Sequence, residues 1–260
     1  MSDKNFTVST DKAEKNSKVL RRVLVAIIAV VLVFCAAGGG FLIFVADYYH
    51  VDEEASAEIS RGYTVREVAL SDDVILYGAE ENAVGLVFYP GAKVEFTAYA
   101  PLMRILASKG ITCALVKMPF NLAFFNQKAA DKVISACKGV ESWYVGGHSL
   151  GGAVAAIYAE GNSDKLKGLV LLASYSTKDV KHSGLKVLSV YGSLDGVIDS
   201  KKYSDNLKNL PDDYVEYVVE GGNHAYFGAY GEQSGDGAAT ISNAAQVAFT
   251  ADRIEEWVFA

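Results

Sequence analysis

Histidine is scarce in this 260-residue chain, with four in all, and there are only three cysteines and four prolines. Cys35, Cys113 and Cys137 have neither metal-ligand nor C-x-x-C spacing, which argues against a zinc site and thioredoxin-like redox chemistry. Cys113 and Cys137 read as two buried thiols; a disulfide between them stays open for a domain outside the cytoplasm. Basic residues form no stripe with interleaved aromatics, so nucleic-acid binding is disfavoured. No internal repeat occurs. The Gly-rich stretch 231–237 reads as a loop and lacks the run of carboxylates that calcium requires.

One long stretch lacks charge altogether. Residues 23–45 are 23 consecutive uncharged residues, which as a helix span about 34 Å, slightly more than a bilayer's hydrocarbon core. Residues 1–22 hold six basic groups against three acids, whereas five acids and no base lie between residue 46 and Arg61. The positive-inside bias therefore places residues 1–22 in the cytoplasm and the remainder outside. Cys35-Ala36-Ala37 offers a small-residue cleavage site, but the apolar run continues through Phe41-Leu42-Ile43-Phe44-Val45, which favours a retained signal anchor over a cleaved peptide. Residues 46–62 read as a short acidic stalk and 63–260 as one large domain. Beyond residue 46 lie 18 of the 24 basic and 28 of the 31 acidic groups, a net charge of −10.

What is present is most specific at Gly147-His148-Ser149-Leu150-Gly151. This G-x-S-x-G sequence follows a short apolar run, 142–146, that reads as a buried strand, and precedes an Ala/Val/Ile-rich helical stretch. A serine at so sharp a strand-to-helix turn needs very small flanking residues, which Gly147, Gly151 and Gly152 supply. Its hydroxyl needs a base, and the base an orienting acid. His50 abuts the apolar span, His148 lies inside the elbow with its side chain expected to point away from Ser149's direction, and His182 sits in a polar loop. His224 remains, in a loop directly after the alternating strand pattern 214–219. The acid is Asp195, in the turn after the apolar run 186–191; Asp199 is the runner-up, better read as a helix cap.

Strand patterns at 63–68, 74–78, 84–89, 111–118, 142–146, 166–173, 186–191 and 214–219 alternate with helical ones at 96–108, 126–138, 150–159, 200–210 and near 238–258. Strands apolar almost throughout, interleaved with helices, imply an α/β fold with a mostly parallel sheet covered on both faces.

The order Ser149, Asp195, His224, with Phe88-Tyr89-Pro90-Gly91-Ala92, Tyr191-Gly192-Ser193-Leu194-Asp195-Gly196 and Gly221-Gly222-Asn223-His224, resembles the α/β-hydrolase superfamily. The chain looks most like its compact, cap-less members near the dienelactone-hydrolase-like group. That resemblance implies a Ser-His-Asp hydrolase acting on a small ester or related acyl compound, with no metal or organic cofactor. Where many esterases carry a His-Gly-Gly oxyanion loop, this chain has Tyr89-Pro90-Gly91-Ala92, and Pro90 has no N–H to donate. The donors fall to Leu150 and to Ala92 or a neighbour one position away. Only 174–185 occupies the usual site of a cap insertion, so the site is expected to be open, and 118–125 is a candidate acyl-pocket wall. A catalytically weak hydrolase-fold binding module is the alternative.

Overall fold

Apolar residues and glycine dominate the central strands, and the sheet they form is buried on both faces. The computed structural model describes residues 4–80 and 82–260, with side chains from Arg21 onward. Two units divide the chain, one ending at Asp47 and the other Tyr48–Ala260. The first is the helix α1 (Lys4–Ala46), in which Arg21–Ala46 holds an 18-residue window of mean hydropathy 2.7 and is long and apolar enough to cross a membrane.

The second unit carries eight strands: β1 (Glu67–Ser71), β2 (Val74–Tyr77), β3 (Val84–Tyr89), β4 (Ile111–Val116), β5 (Ser142–His148), β6 (Gly168–Leu172), β7 (Lys186–Gly192) and β8 (Val215–Val219). Their order is β1-β2-β4-β3-β5-β6-β7-β8, parallel from β4 to β8, with β2 antiparallel to both β1 and β4. Alternate residues serve opposite faces, as the two-residue strand period dictates. Leu86 and Phe88 point into one core with Tyr77 and Cys113, whereas Val87 and Tyr89 point into the other with Val145 and Cys137. The two thiols thus lie on opposite faces of the sheet, both free, and burial pushes both above their ordinary pKa.

One face is covered by α2 (Glu53–Ile59), α3 (Ala100–Ser108) and α7 (Asn243–Phe259); the other by α4 (Ala129–Ala136) and α5 (Leu150–Gly161). A last short helix, α6 (Ser200–Asn206), follows β7. The region expected as a stalk is built into the unit. A seven-residue helix does not hold alone. The Asp52 cap on the Ala55 N–H contributes about 1 kcal/mol and burial of Ile59 about 2 kcal/mol. The first strand is shifted from the expected 63–68 because β2 offers only four residues to pair with, and they meet β1 from Glu67 to Ser71. Between β6 and β7 there is a loop and no helix, so the carboxyl ends of the parallel strands are left uncovered there.

Candidate active site

The loops after β3, β5, β7 and β8 deliver the residues singled out above to one end of the sheet, where the catalytic loops of open α/β sheets gather. The junction of β5 and α5 is the elbow. Ser149 takes φ 52°, ψ −124°, a backbone state that costs a residue with a side chain about 1–3 kcal/mol. Its surroundings hold it there. The Ser149 N–H donates to the Leu172 carbonyl at 2.9 Å, extending the β5–β6 ladder, and the Ser174 hydroxyl donates to the Ser149 carbonyl at 2.7 Å. The first turn of α5 is pressed against the end of β3. A Cβ at Gly151 would overlap the carbonyl oxygens of Tyr89 and Pro90, and one at Gly147 would stand 2.5 Å from the Tyr89 oxygen. These two glycines are therefore required by close backbone approach.

Asp195 and His224 face each other from the loops after β7 and β8. His224 Nδ1 lies 2.8 Å from Asp195 Oδ2, and Oδ1 of the same carboxylate accepts from the Val197 and Ile198 N–H groups, both at 2.8 Å. The Asp195 and His224 side chains are 1% and 2% exposed. A carboxylate on Nδ1 fixes the proton there and turns Nε2 into the acceptor. Nε2 has no hydrogen-bond partner among the described residues. His224 and Ser149 line one cleft of about 300 Å³, walled further by Leu150, Ala153, Tyr175 and Ile198. The Ser149 hydroxyl and His224 thus share the cleft without being hydrogen-bonded to each other, a looseness common in ligand-free sites. Asp199 stands on the cleft wall as the N-cap of α6, its Oδ1 accepting from the Lys202 N–H at 2.9 Å.

The two N–H groups expected as oxyanion donors can also be followed. Leu150 is the first residue of α5, so its N–H has no intrahelical partner and points with the helix N-terminus. In the loop after β3, the Gly91 N–H is taken by the Tyr99 hydroxyl at 3.1 Å and the Lys93 N–H by the Asn121 carbonyl at 2.9 Å. Ala92 keeps the uncommitted N–H of that stretch among the described residues.

Three features of the site were not read from the sequence. His148 is buried and its ring meets that of His224 at a 52° tilt, with centroids 4.6 Å apart. The Tyr99 hydroxyl accepts from the Gly91 N–H at 3.1 Å and lies within hydrogen-bond distance, 2.8 Å, of His148 Nδ1. Burial first, and the neighbouring His224 second, hold His148 well below the ordinary histidine pKa, keeping a second charge away from the base. Asp236, in the loop 231–237, accepts from four backbone N–H groups: Gly196 at 3.0 Å, His224 at 3.2 Å, Ala225 at 2.8 Å and Gly237 at 2.8 Å. Fully buried Gln246 of α7 brackets the Asn223 peptide, accepting from its N–H at 3.0 Å and donating to its carbonyl at 2.8 Å. A polar residue in the apolar face formed by Val247, Thr250, Ala251 and Ile254 was the available signal for Gln246. Asp236 gave none beyond its Gly-rich loop.

Asp236 ties the acid loop to the base loop, so its removal should act on positioning. We expect Asp236→Ala to lower kcat about 10²-fold with KM little changed, and Asp236→Asn to recover part of the loss. Steady-state kinetics corrected for folded fraction decide this. An unchanged kcat per folded molecule would make Asp236 a stability residue only.

The acyl-wall expectation for 118–125 is not met. Met118 and Ala123 point into the core on the α5 face of the sheet, Phe120, Phe124 and Phe125 are exposed, and none of them lines the cleft.

A mostly parallel sheet with a strained serine elbow after β5 defines an α/β hydrolase by architecture. The Alpha/beta hydrolase family model matches residues 85–248, and the chain belongs to that family. Solved structures agree in fold. A predicted CIB-like hydrolase from Thermoplasma acidophilum aligns with a TM-score of 0.52 and 15% identity, covering 75% of this chain and 100% of that one. TT1662 from Thermus thermophilus gives 0.56 and 14%, covering 76% and 99%. MGS-MChE2, an alpha/beta hydrolase enzyme from the metagenome of sediments of the Mar Chica lagoon, Morocco, gives 0.51 and 15%, covering 62% and 90%. A search of curated proteins finds no match.

Proposed function

We propose that this protein is a membrane-anchored serine hydrolase that cleaves small esters or related acyl compounds through an acyl-enzyme. The observation that carries the reading is the buried Asp195–His224 pair with its unpartnered Nε2, on a histidine that lines the same cleft as Ser149. His224 Nε2 takes the Ser149 proton as Oγ bonds to the acyl carbon. The resulting oxyanion accepts from the Leu150 and Ala92 N–H groups, and the imidazolium then passes its proton to the departing alcohol. A water repeats the sequence in reverse, freeing the acid and the serine. Asp195 stabilises the imidazolium and holds the tautomer throughout.

The absence of a cap and the size of the cleft favour a short acyl group. A series of esters of rising acyl length, run beside thioesters and peptides, tests this. Short esters should be turned over fastest, and exclusive cleavage of peptides would overturn the substrate class. The second reading, a catalytically weak binding module, draws on the missing Ser149–His224 hydrogen bond. It requires that Ser149 resist fluorophosphonates.

We place the catalytic unit on the outer side of the membrane. Six basic residues precede the span, and acids follow it. Protease added to intact cells, or to spheroplasts where there is an outer membrane, should digest residues beyond the span and leave the N-terminal tail protected. A unit that resists until the membrane is opened would put it in the cytoplasm. A soluble active form starting near Gly38 would favour cleavage.

A further inference from the structure

The loop between β4 and α4 is the least expected surface of the catalytic unit. Residues 118–127 carry no charge, although the chain beyond residue 46 has a net charge of −10, and the exposed lysines Lys117 and Lys128 bracket them. Within the loop Phe124 is 60%, Phe125 50% and Phe120 49% exposed. Phe125 meets the other two edge-on, with centroids 5.6 Å from Phe120 and 6.1 Å from Phe124.

This exposure is built in. Phe120 and Asn121 both take positive φ, 57° and 54°, which for a bulky aromatic is a genuine outlier. Hydrogen bonds hold the turn: the Asn121 N–H donates to the Met118 carbonyl at 3.0 Å, and the Asn121 carbonyl accepts from Lys93 at 2.9 Å. Met118 and Ala123 are pinned in the core, so the loop cannot roll its rings inward without losing them. Since none of the three phenylalanines lines the cleft, substrate contact does not account for the arrangement.

The chain path says what surface the loop meets. Tyr49 pairs with the segment 93–95 as a parallel bridge, its N–H donating to the Lys93 carbonyl at 2.7 Å and its carbonyl accepting from Glu95 at 2.8 Å. Lys93 is in turn bonded to Asn121, so the aromatic loop is one strand spacing, about 4.8 Å, beyond that bridge. The apolar span ends at Ala46. Only Asp47 and Tyr48 separate Ala46 from Tyr49, and three residues of chain reach at most about 11 Å.

We infer that this loop is a lipid-contact element: Phe120, Phe124 and Phe125 lie in the interfacial zone of the bilayer, with Lys117 and Lys128 among the headgroups. Aromatic rings and lysine stems favour that zone because one end is apolar and the other wet. The inference rests on reading 23–45 as a retained anchor. A loop docked on lipid would hold the cleft at a fixed height above the surface.

The test uses the full chain in phosphatidylcholine–phosphatidylglycerol vesicles whose acyl chains are brominated. Phe124→Trp places a reporter on an exposed ring, and Phe259→Trp serves as control. Phe259 follows Val258, whose carbonyl meets the Tyr144 hydroxyl near the start of β5, at the opposite end of the sheet from the loop. Trp143 and Trp257 are buried and give the background. Bromolipid should quench the reporter in the Phe124→Trp variant and blue-shift its emission, leaving the one in the Phe259→Trp control unquenched. Equal quenching in the two variants overturns the lipid contact. So does an unquenched Phe124→Trp reporter in a protein that stays with the vesicles after an alkaline carbonate wash, which would leave a protein partner for the patch. Quenching of that reporter in a protein that the wash releases would uphold the contact and overturn the anchor instead.

Discussion

Replacing Ser149 by alanine is expected to lower kcat by about 10⁶-fold while leaving the fold intact. The hydroxyl makes no hydrogen bond among the described residues, and the position of residue 149 is set by backbone contacts to Leu172 and Ser174 that alanine keeps. Melting temperature should therefore stay close to that of the parent, since one partly exposed hydroxyl contributes little to stability. Ester turnover and a thermal melt measured on the same preparation check both halves. Residual activity within tenfold of the parent would move the nucleophile elsewhere, with Ser174 and Ser193 the nearest alternatives.

The second large effect separates two carboxylates four residues apart. Asp195→Asn should cost about 10⁴-fold in kcat, because an amide neither stabilises the imidazolium nor selects the Nδ1-protonated tautomer of His224. Asp199→Asn should cost no more than a few-fold, since asparagine caps a helix as well as aspartate does. Both variants leave the folded fraction largely unchanged, so a comparison of kcat per folded molecule is clean. Loss confined to the Asp199 variant would transfer the orienting role to the α6 cap.

The legibility of this chain was uneven for physical reasons. The sheet could be read because parallel strands buried on both faces must be apolar throughout, as in β3 and β6, where every residue is buried. Candidates for serine, acid and base could be picked out because few residue types suit those roles and, of the four histidines, one falls in a loop directly after a strand pattern. That Ala92 keeps an uncommitted N–H emerges only from the hydrogen bonds that commit Gly91 and Lys93, which no pattern announces. Asp236 and Gln246 act through backbone groups of distant loops, and such pairings leave no periodic trace. The segment 53–59 looked like a stalk by its acids, yet its capped helix docks through Ile59. A place after a strand end beside the elbow suggested that 118–125 lined a pocket; the positive φ of Phe120 is invisible in sequence, and its ring is exposed.

The central claim is that Ser149 is an activated nucleophile served by His224 and Asp195. Incubating the full-length protein with a fluorophosphonate, digesting it and mapping the adduct by mass spectrometry tests it most directly. The account predicts one phosphonylated peptide, modified at Ser149, with labelling slowed by orders of magnitude in Asp195→Asn. An unlabelled protein that is folded and bilayer-bound, or an adduct at any other serine, would contradict it.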